Sequence, residues 1–210
     1  NAALASGAMT TKEASRLLIV QARKGKYEGD NGLKVNLAEA VKMALDLDYN
    51  EKPYFRSALW EATWRNHEVI VKALVEKGAS IDFKDYQDRT PMHEAAYYGH
   101  LNLVEYFIEK GAQINAVDKF GQTPLFRAVD GGRHEVVELL VKRKAETNVL
   151  DSMEVSCQNL AAFQGLPAMS QWLLFKGSWK NRFAIEGNHE LASRAKPADG
   201  DPQSPRGQDE

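Results

Sequence analysis

Apolar positions along this chain follow two nested rhythms. Leu101, Val104, Phe107 and Ile108 recur at helical spacing and predict one helix with a single buried stripe. On a larger scale the pattern returns every 33 residues. Ser57-Ala58-Leu59-Trp60, Thr90-Pro91-Met92-His93, Thr123-Pro124-Leu125-Phe126 and Ser156-Cys157-Gln158-Asn159 stand in register without a gap. The blocks therefore run 52–84, 85–117, 118–150 and 151–183, the last trailing to 187. A period of this size marks stacked units, each of which buries its apolar face only against its neighbours.

The second block shows the internal plan. Thr90 suits a helix N-cap and Pro91 the first helical position, where a missing N–H costs nothing. Ala95 and Ala96 let two helices approach closely, and Gly99 fits the left-handed residue that stops the first helix. The second helix follows at once and ends at Gly111. Gln113 to Ala116 read as extended chain, and Asp118-Lys119-Phe120-Gly121 as a turn into the next unit. Departures are local: Asn66 replaces the first-helix glycine and Lys144 the second-helix glycine, so the third block should end less comfortably. The fourth block carries Pro167 at its second-helix start, with Trp172 and Trp179 nearby, as suits a terminal unit.

Residues 10–51 read as a degenerate N-terminal capping unit. Leu17, Leu18 and Val20 up to Gly25 give a first helix with its stop, and Leu37, Val41, Ala44 and Leu45 a second stripe. Gly25 lies 41 residues before Asn66, eight more than the period, and the polar, glycine-rich loop 26–36 takes up the excess. Residues 1–9, with Ser6-Gly7-Ala8-Met9, read as a tag remnant or a flexible start. The polar tail 188–210 loses its large apolar residues after Lys196, so disorder is its default. Its Asp199, Asp201, Asp209 and Glu210 could instead be pinned against a basic face.

Phased in this way, Thr90-Pro91-Met92-His93-Glu94-Ala95-Ala96, Gly99-His100 and Lys110-Gly111-Ala112, echoed by Gly78-Ala79, Thr123-Pro124-Leu125 and Lys176-Gly177, resemble the ankyrin repeat over residues 52–187. The resemblance implies an all-α solenoid of helix-turn-helix units joined by hairpin loops. It also implies a concave face, formed by hairpin tips and first helices, on which protein partners dock. Of the family's variable contact positions, 28 in these blocks, nine are basic and one is acidic. They are also rich in the aromatics and arginines that dominate interface energetics. Tyr54, Trp64, Arg65, Tyr86, Arg89, Tyr97, Tyr98, Phe120 and Phe163 are the expected partner-binding residues, the last of them in the fourth block. Asp85 and Asp88 at a hairpin tip would dilute the positive field.

Signs of catalysis are few. His134-Glu135 and His189-Glu190 each lack the second histidine of a zinc-protease helix. Asp46-x-Asp48-x-Asn50 opens like a calcium loop, but Glu51 stands where the turn glycine belongs and Ser57 where the closing glutamate belongs. Cys157 is the sole cysteine and reads as a helix-start packing residue. With 43% hydrophobic residues and a net charge of −2, the chain can bury a continuous core and carries no overall bias toward nucleic acid or membrane. The expectation is a non-catalytic scaffold or adaptor, without cofactor or metal. It would bind an acidic or phosphorylated segment with apolar anchors, in the cytoplasm or alternatively the nucleus. Two alternatives stand beside it: a surface for single-stranded nucleic acid, and a regulatory fragment of a larger enzyme.

Overall fold

The computed structural model describes residues 10–25, 46–50 and 52–178. Among them α1 spans Thr11–Lys24, and four helix pairs follow: α2 (Ala58–Trp64) with α3 (Glu68–Glu76), α4 (Pro91–Tyr98) with α5 (Leu101–Glu109), α6 (Pro124–Asp130) with α7 (His134–Lys142), and α8 (Cys157–Phe163) with α9 (Pro167–Leu173). A π-helical turn, Leu174–Ser178, extends α9. What was expected of residues 1–9, the loop 26–36, the stripe Leu37 to Leu45, Trp179 and the tail 188–210 lies outside the described residues.

First helices pack in one row, α1 on α2, α2 on α4, α4 on α6 and α6 on α8, and α5 packs on α7. The sequence dictates where each begins. Ser57, Thr123 and Ser156 accept, through their hydroxyls, the N–H of Trp60, Phe126 and Asn159 at 3.2–3.3 Å. Pro91 and Pro124 occupy the first turn, where no N–H is missed. The stops are as regular: Asn66, Gly99, Gly132 and Gly165 all take left-handed φ between 57° and 70° or, at Gly99, 79°. Lys144 adopts φ 70° where Gly78 and Gly111 stand in earlier repeats, so the chain keeps the geometry at a strain cost on the order of 1–2 kcal/mol. In contrast to the extended reading of Gln113 to Ala116, the Ala116 N–H closes a turn onto the Gln113 carbonyl at 3.1 Å.

The first helix departs from the others in length. Thr10 and Glu13 form a capping box, and Gly25 closes α1 at φ 74°. From cap to stop this helix takes 15 residues where later repeats take nine, and these extra residues precede Gly25, apart from the eight that lie between Gly25 and Asn66. The core is one continuous band: Leu18 of α1, Leu59, Ile70, Leu74, Met92, Leu103, Phe107, Leu125, Phe126 and Leu140 are all at most 1% exposed. Each such side chain contributes roughly 1.5–3 kcal/mol through burial.

Two ladders tie neighbouring hairpins. Asp85, Asp118 and Asp151, spaced by the period, each accept two backbone N–H bonds at 2.8–2.9 Å on one carboxylate oxygen and so hold their own turn. Adjacent tips then bond in series: Tyr86 N–H to the Tyr54 carbonyl, Lys119 N–H to that of Gln87, and Ser152 N–H to that of Phe120, at 2.8–3.2 Å. On the far side Asp48, Asp82 and Asn115 accept the N–H of Ser80, Gln113 and Glu146.

Candidate interaction face

The first-helix ends and hairpin tips carry a connected set of rings and guanidiniums. Trp60, buried in α2, lies 5.9 Å from Trp64, and Trp64 lies 6.5 Å from Tyr98 across the repeat boundary. Tyr98 meets Tyr97 edge-on at 5.1 Å and stacks on His100 at 5.9 Å. At the tips Tyr54 meets Tyr86 edge-on at 5.6 Å. Arg56 joins the groups: its guanidinium lies 4.0 Å from the Trp60 ring, 4.9 Å from Tyr54 and 5.2 Å from Trp64. Arg127 sits 4.3 Å over Tyr97, and Arg65 flanks Trp64 at 4.7 Å. Each cation–ring contact is worth about 0.5–2 kcal/mol, so the face is held in shape by the chain's own contacts.

Exposure separates the expected contact residues. Tyr54, Tyr86, Tyr98 and Phe120 are 36–51% exposed, and Phe163 is 78% exposed. Trp64 and Tyr97 are half-buried, and Arg65 is exposed. The structure brings Trp64, Arg65, Tyr97 and Tyr98 into one patch and Tyr54 with Tyr86 into another, linked through Arg56. Phe120 projects from the third tip and Phe163 from the end of α8, apart from these ring pairs.

Most of the arginines are already committed. Arg89 donates to Asp85 at 2.9 and 3.2 Å, and its other terminal nitrogen stands 2.8 Å from Glu94, close enough for an ion pair though not aligned as a hydrogen bond. Asp85 is buried, so its charge holds the turn and Arg89 rather than diluting the outer field. Arg23 bonds Glu61 at 3.1 and 3.2 Å, Arg127 bonds Asp130 at 2.8 Å, and Arg143 bonds Glu105 at 2.7 Å. Lys119 gives its ammonium to the Tyr86 carbonyl. Of the nine cations counted in the sequence, Arg56, Arg89 and Arg143 thus stand against carboxylates of the chain itself, and Arg65 is the exposed guanidinium of the aromatic patch.

Burial sets the protonation behind the face. Desolvation holds His93 near pKa 4, so its ring is neutral, and it accepts the Thr90 N–H at Nδ1 (3.1 Å) while Nε2 donates to the Gln122 carbonyl of the next repeat (3.1 Å). Glu94 and Asp118 are raised by the same desolvation, against the pull of Arg89 and Arg127. His100 is lowered by burial and donates through Nε2 to the Trp64 carbonyl at 3.3 Å. His67 stands in the same relation to the Arg23 carbonyl at 3.4 Å, and Arg133 takes the place in the third repeat, donating to the Tyr97 carbonyl at 2.9 Å. Sequence reasoning missed Arg133 because it sought the recurring histidine. Arg56 stood among the nine basic contact positions but not among the expected partner-binding residues, although it lies one period from Arg89, and Trp60 and Arg127 were passed over.

Cys157 is fully buried and desolvation pushes its thiol far above the ordinary range, as suits a packing residue. Among the described residues no group of three His, Cys, Asp or Glu side chains is placed to hold a metal ion, and no helix is long and apolar enough to cross a membrane.

The family model for ankyrin repeats in three copies matches residues 33–118 and 84–151, more than half of the chain. The chain belongs to the ankyrin-repeat family, whose members are generally protein–protein interaction modules and typically non-catalytic. No curated protein matches it.

Proposed function

We propose that the chain is a non-catalytic adaptor that binds an acidic or phosphorylated protein segment with apolar anchors across its first, second and third repeats. One observation carries this reading: Trp64, Tyr98 and Tyr97 form an aromatic strip that crosses a repeat boundary, partly exposed and flanked by Arg65. Rigid aromatics beside an arginine are the composition of interface hot spots. Apolar side chains of the partner would pack on Trp64 and Tyr98, with Phe120 and the Tyr54–Tyr86 pair extending the contact. Its carboxylate or phosphate would pair with Arg65. Because Arg89, Arg127 and Arg143 are satisfied internally, apolar anchors supply most of the affinity and charge chiefly the approach. The same pairing argues against a phosphate-tracking path for nucleic acid. Cytoplasm or nucleus is the proposed setting.

Immobilised 15-residue peptides combining aromatic anchors with Glu, phosphoserine or neutral spacers test it, with single-stranded oligonucleotides alongside. Expected is saturable binding of the anchored acidic peptides, lost in Tyr98→Ala and weakened in Arg65→Gln. Equal binding by the Tyr98→Ala protein, or a preference for oligonucleotides, overturns the assignment.

A further inference from the structure

A groove of about 880 Å³ opens at the opposite edge of the molecule, between the end of α7 and the turn after α9. Trp172 forms one wall, and Lys142, Lys144 and Lys176 stand around it, all three exposed. This edge differs from the preceding repeat boundary. There Glu105 and Arg143 pair at 2.7 Å and close the gap. One period later the same two positions are Glu138 and Lys176, both of which line the groove, and among the described residues they form no ion pair. The other carboxylate in the groove, Glu146, is engaged by the Asn115 side chain at 3.0 Å.

Lys144 adds a second, independent sign. It occupies the left-handed position, φ 70°, that Gly78 and Gly111 fill in earlier repeats. A Cβ built on either glycine meets nothing within 4 Å, so a side chain at this position leaves into open space, here the groove. Backbone strain retained to place a cation in a groove is the kind of feature found at binding sites. The described chain ends at Ser178, two residues beyond Lys176. Residues 197–210, which follow outside the described part, carry Asp199, Asp201, Asp209 and Glu210 against a single arginine, Arg206. The intervening stretch of some twenty residues spans up to roughly 70 Å, so reach is not limiting, and tethering gives an effective concentration on the order of millimolar.

We propose that this groove seats the chain's own acidic segment 197–210, its carboxylates lying among Lys142, Lys144 and Lys176 beside Trp172. This proposal is independent of the reading of the aromatic face.

Carbodiimide coupling of the full chain, mapped by mass spectrometry on the monomeric fraction, should join Asp199, Asp201, Asp209 or Glu210 to Lys142, Lys144 or Lys176. Deleting 197–210 should speed amide exchange of residues 142–148 at least threefold, and a synthetic peptide of that segment should restore protection. Lys144→Gly, which fits the left-handed backbone and leaves the fold intact, should reproduce the faster exchange in the full chain. A purely structural Lys144 predicts slower exchange there instead. Coupling spread over distant lysines such as Lys72 and Lys77, coupling confined to a dimeric fraction, or exchange indifferent to the deletion overturns the proposal.

Discussion

In the second repeat His93 reaches the Gln122 carbonyl of the third, and Arg89 holds Asp85 and Glu94 together. In the fourth repeat the corresponding positions are Asn159, Val155, Asp151 and Leu160, and those links are gone. The backbone hardly notices. Asp151 still clamps its turn, Glu154 still takes φ 61° as Asp88 does, Ser156 still caps α8, and Gly165 still stops it at φ 70°. Two layers of information are thus separable: turn and cap residues write the unit, and a different set of side chains binds unit to unit. The aromatics divide the same way, since Tyr98 meets both Trp64 and Tyr97 while Phe163, two repeats further on, stands 78% exposed.

The largest way to break this contrast is pH. His93 has a folded pKa of about 4 against 6.5 when unperturbed, so the unfolded chain takes up a proton first as pH falls. Its contribution is fully present above pH 6.5 and is lost between 6.5 and about 4, to a total of about 3 kcal/mol. His100, also lowered, adds to the loss, whereas Glu94 and Asp118, both raised, gain stability in the acid and offset part of it. Urea melts of wild type and His93→Gln between pH 7 and 4 isolate the histidine, and the variant should show the flatter profile. Parallel profiles would mean that the ring does not stay neutral in the fold.

Steric crowding between repeats gives the next effect. Gly131 has an ordinary φ of −79°, yet a Cβ there would stand 2.1 Å from the Tyr97 carbonyl oxygen, so Gly131→Ala must push the second and third repeats apart. A cost of about 2–3 kcal/mol is expected, with exchange rising on both sides of the boundary. Gly165→Ala meets nothing within 4 Å and suffers only its backbone, so about 1 kcal/mol confined to the fourth repeat is expected. Equal, global losses from both would contradict the layered picture. On the binding face, Tyr98→Ala should cost about 2 kcal/mol of peptide affinity and Phe163→Ala much less, because only Tyr98 belongs to a supported ring cluster. Calorimetry with the selected peptide decides between them.

How much of this was legible in the sequence follows the same division. The unit is written in residues with strong local preferences, and Thr90-Pro91, Gly99 and Gly111 could be read directly. The recurrence of Asp85, Asp118 and Asp151 at one period was equally readable as a turn clamp, but a count of surface charges hid it. The face was less legible because its chemistry depends on which partner a side chain finds. Arg89 looks like a ligand for a carboxylate, and it is one, but the carboxylates are Asp85 and Glu94 of its own chain. Arg133 does a histidine's task one residue away from the histidine in its block, a substitution of geometry that residue type does not announce.

The smallest effect is at Lys144, and it sharpens the comparison most. Its left-handed backbone costs roughly 1–2 kcal/mol relative to glycine, while glycine forfeits roughly 0.5–1 kcal/mol through the greater freedom of the unfolded chain. Lys144→Gly should therefore stabilise the chain missing residues 197–210 by about 0.5–1 kcal/mol in chemical denaturation. In the full chain the gain should shrink, because the substitution also removes a cation from the groove that faces Trp172. Both chains gaining equally would make Lys144 an unremarkable departure from the repeat. A difference between them identifies Lys144 as a place where the third repeat gives up its own comfort for a contact beyond it.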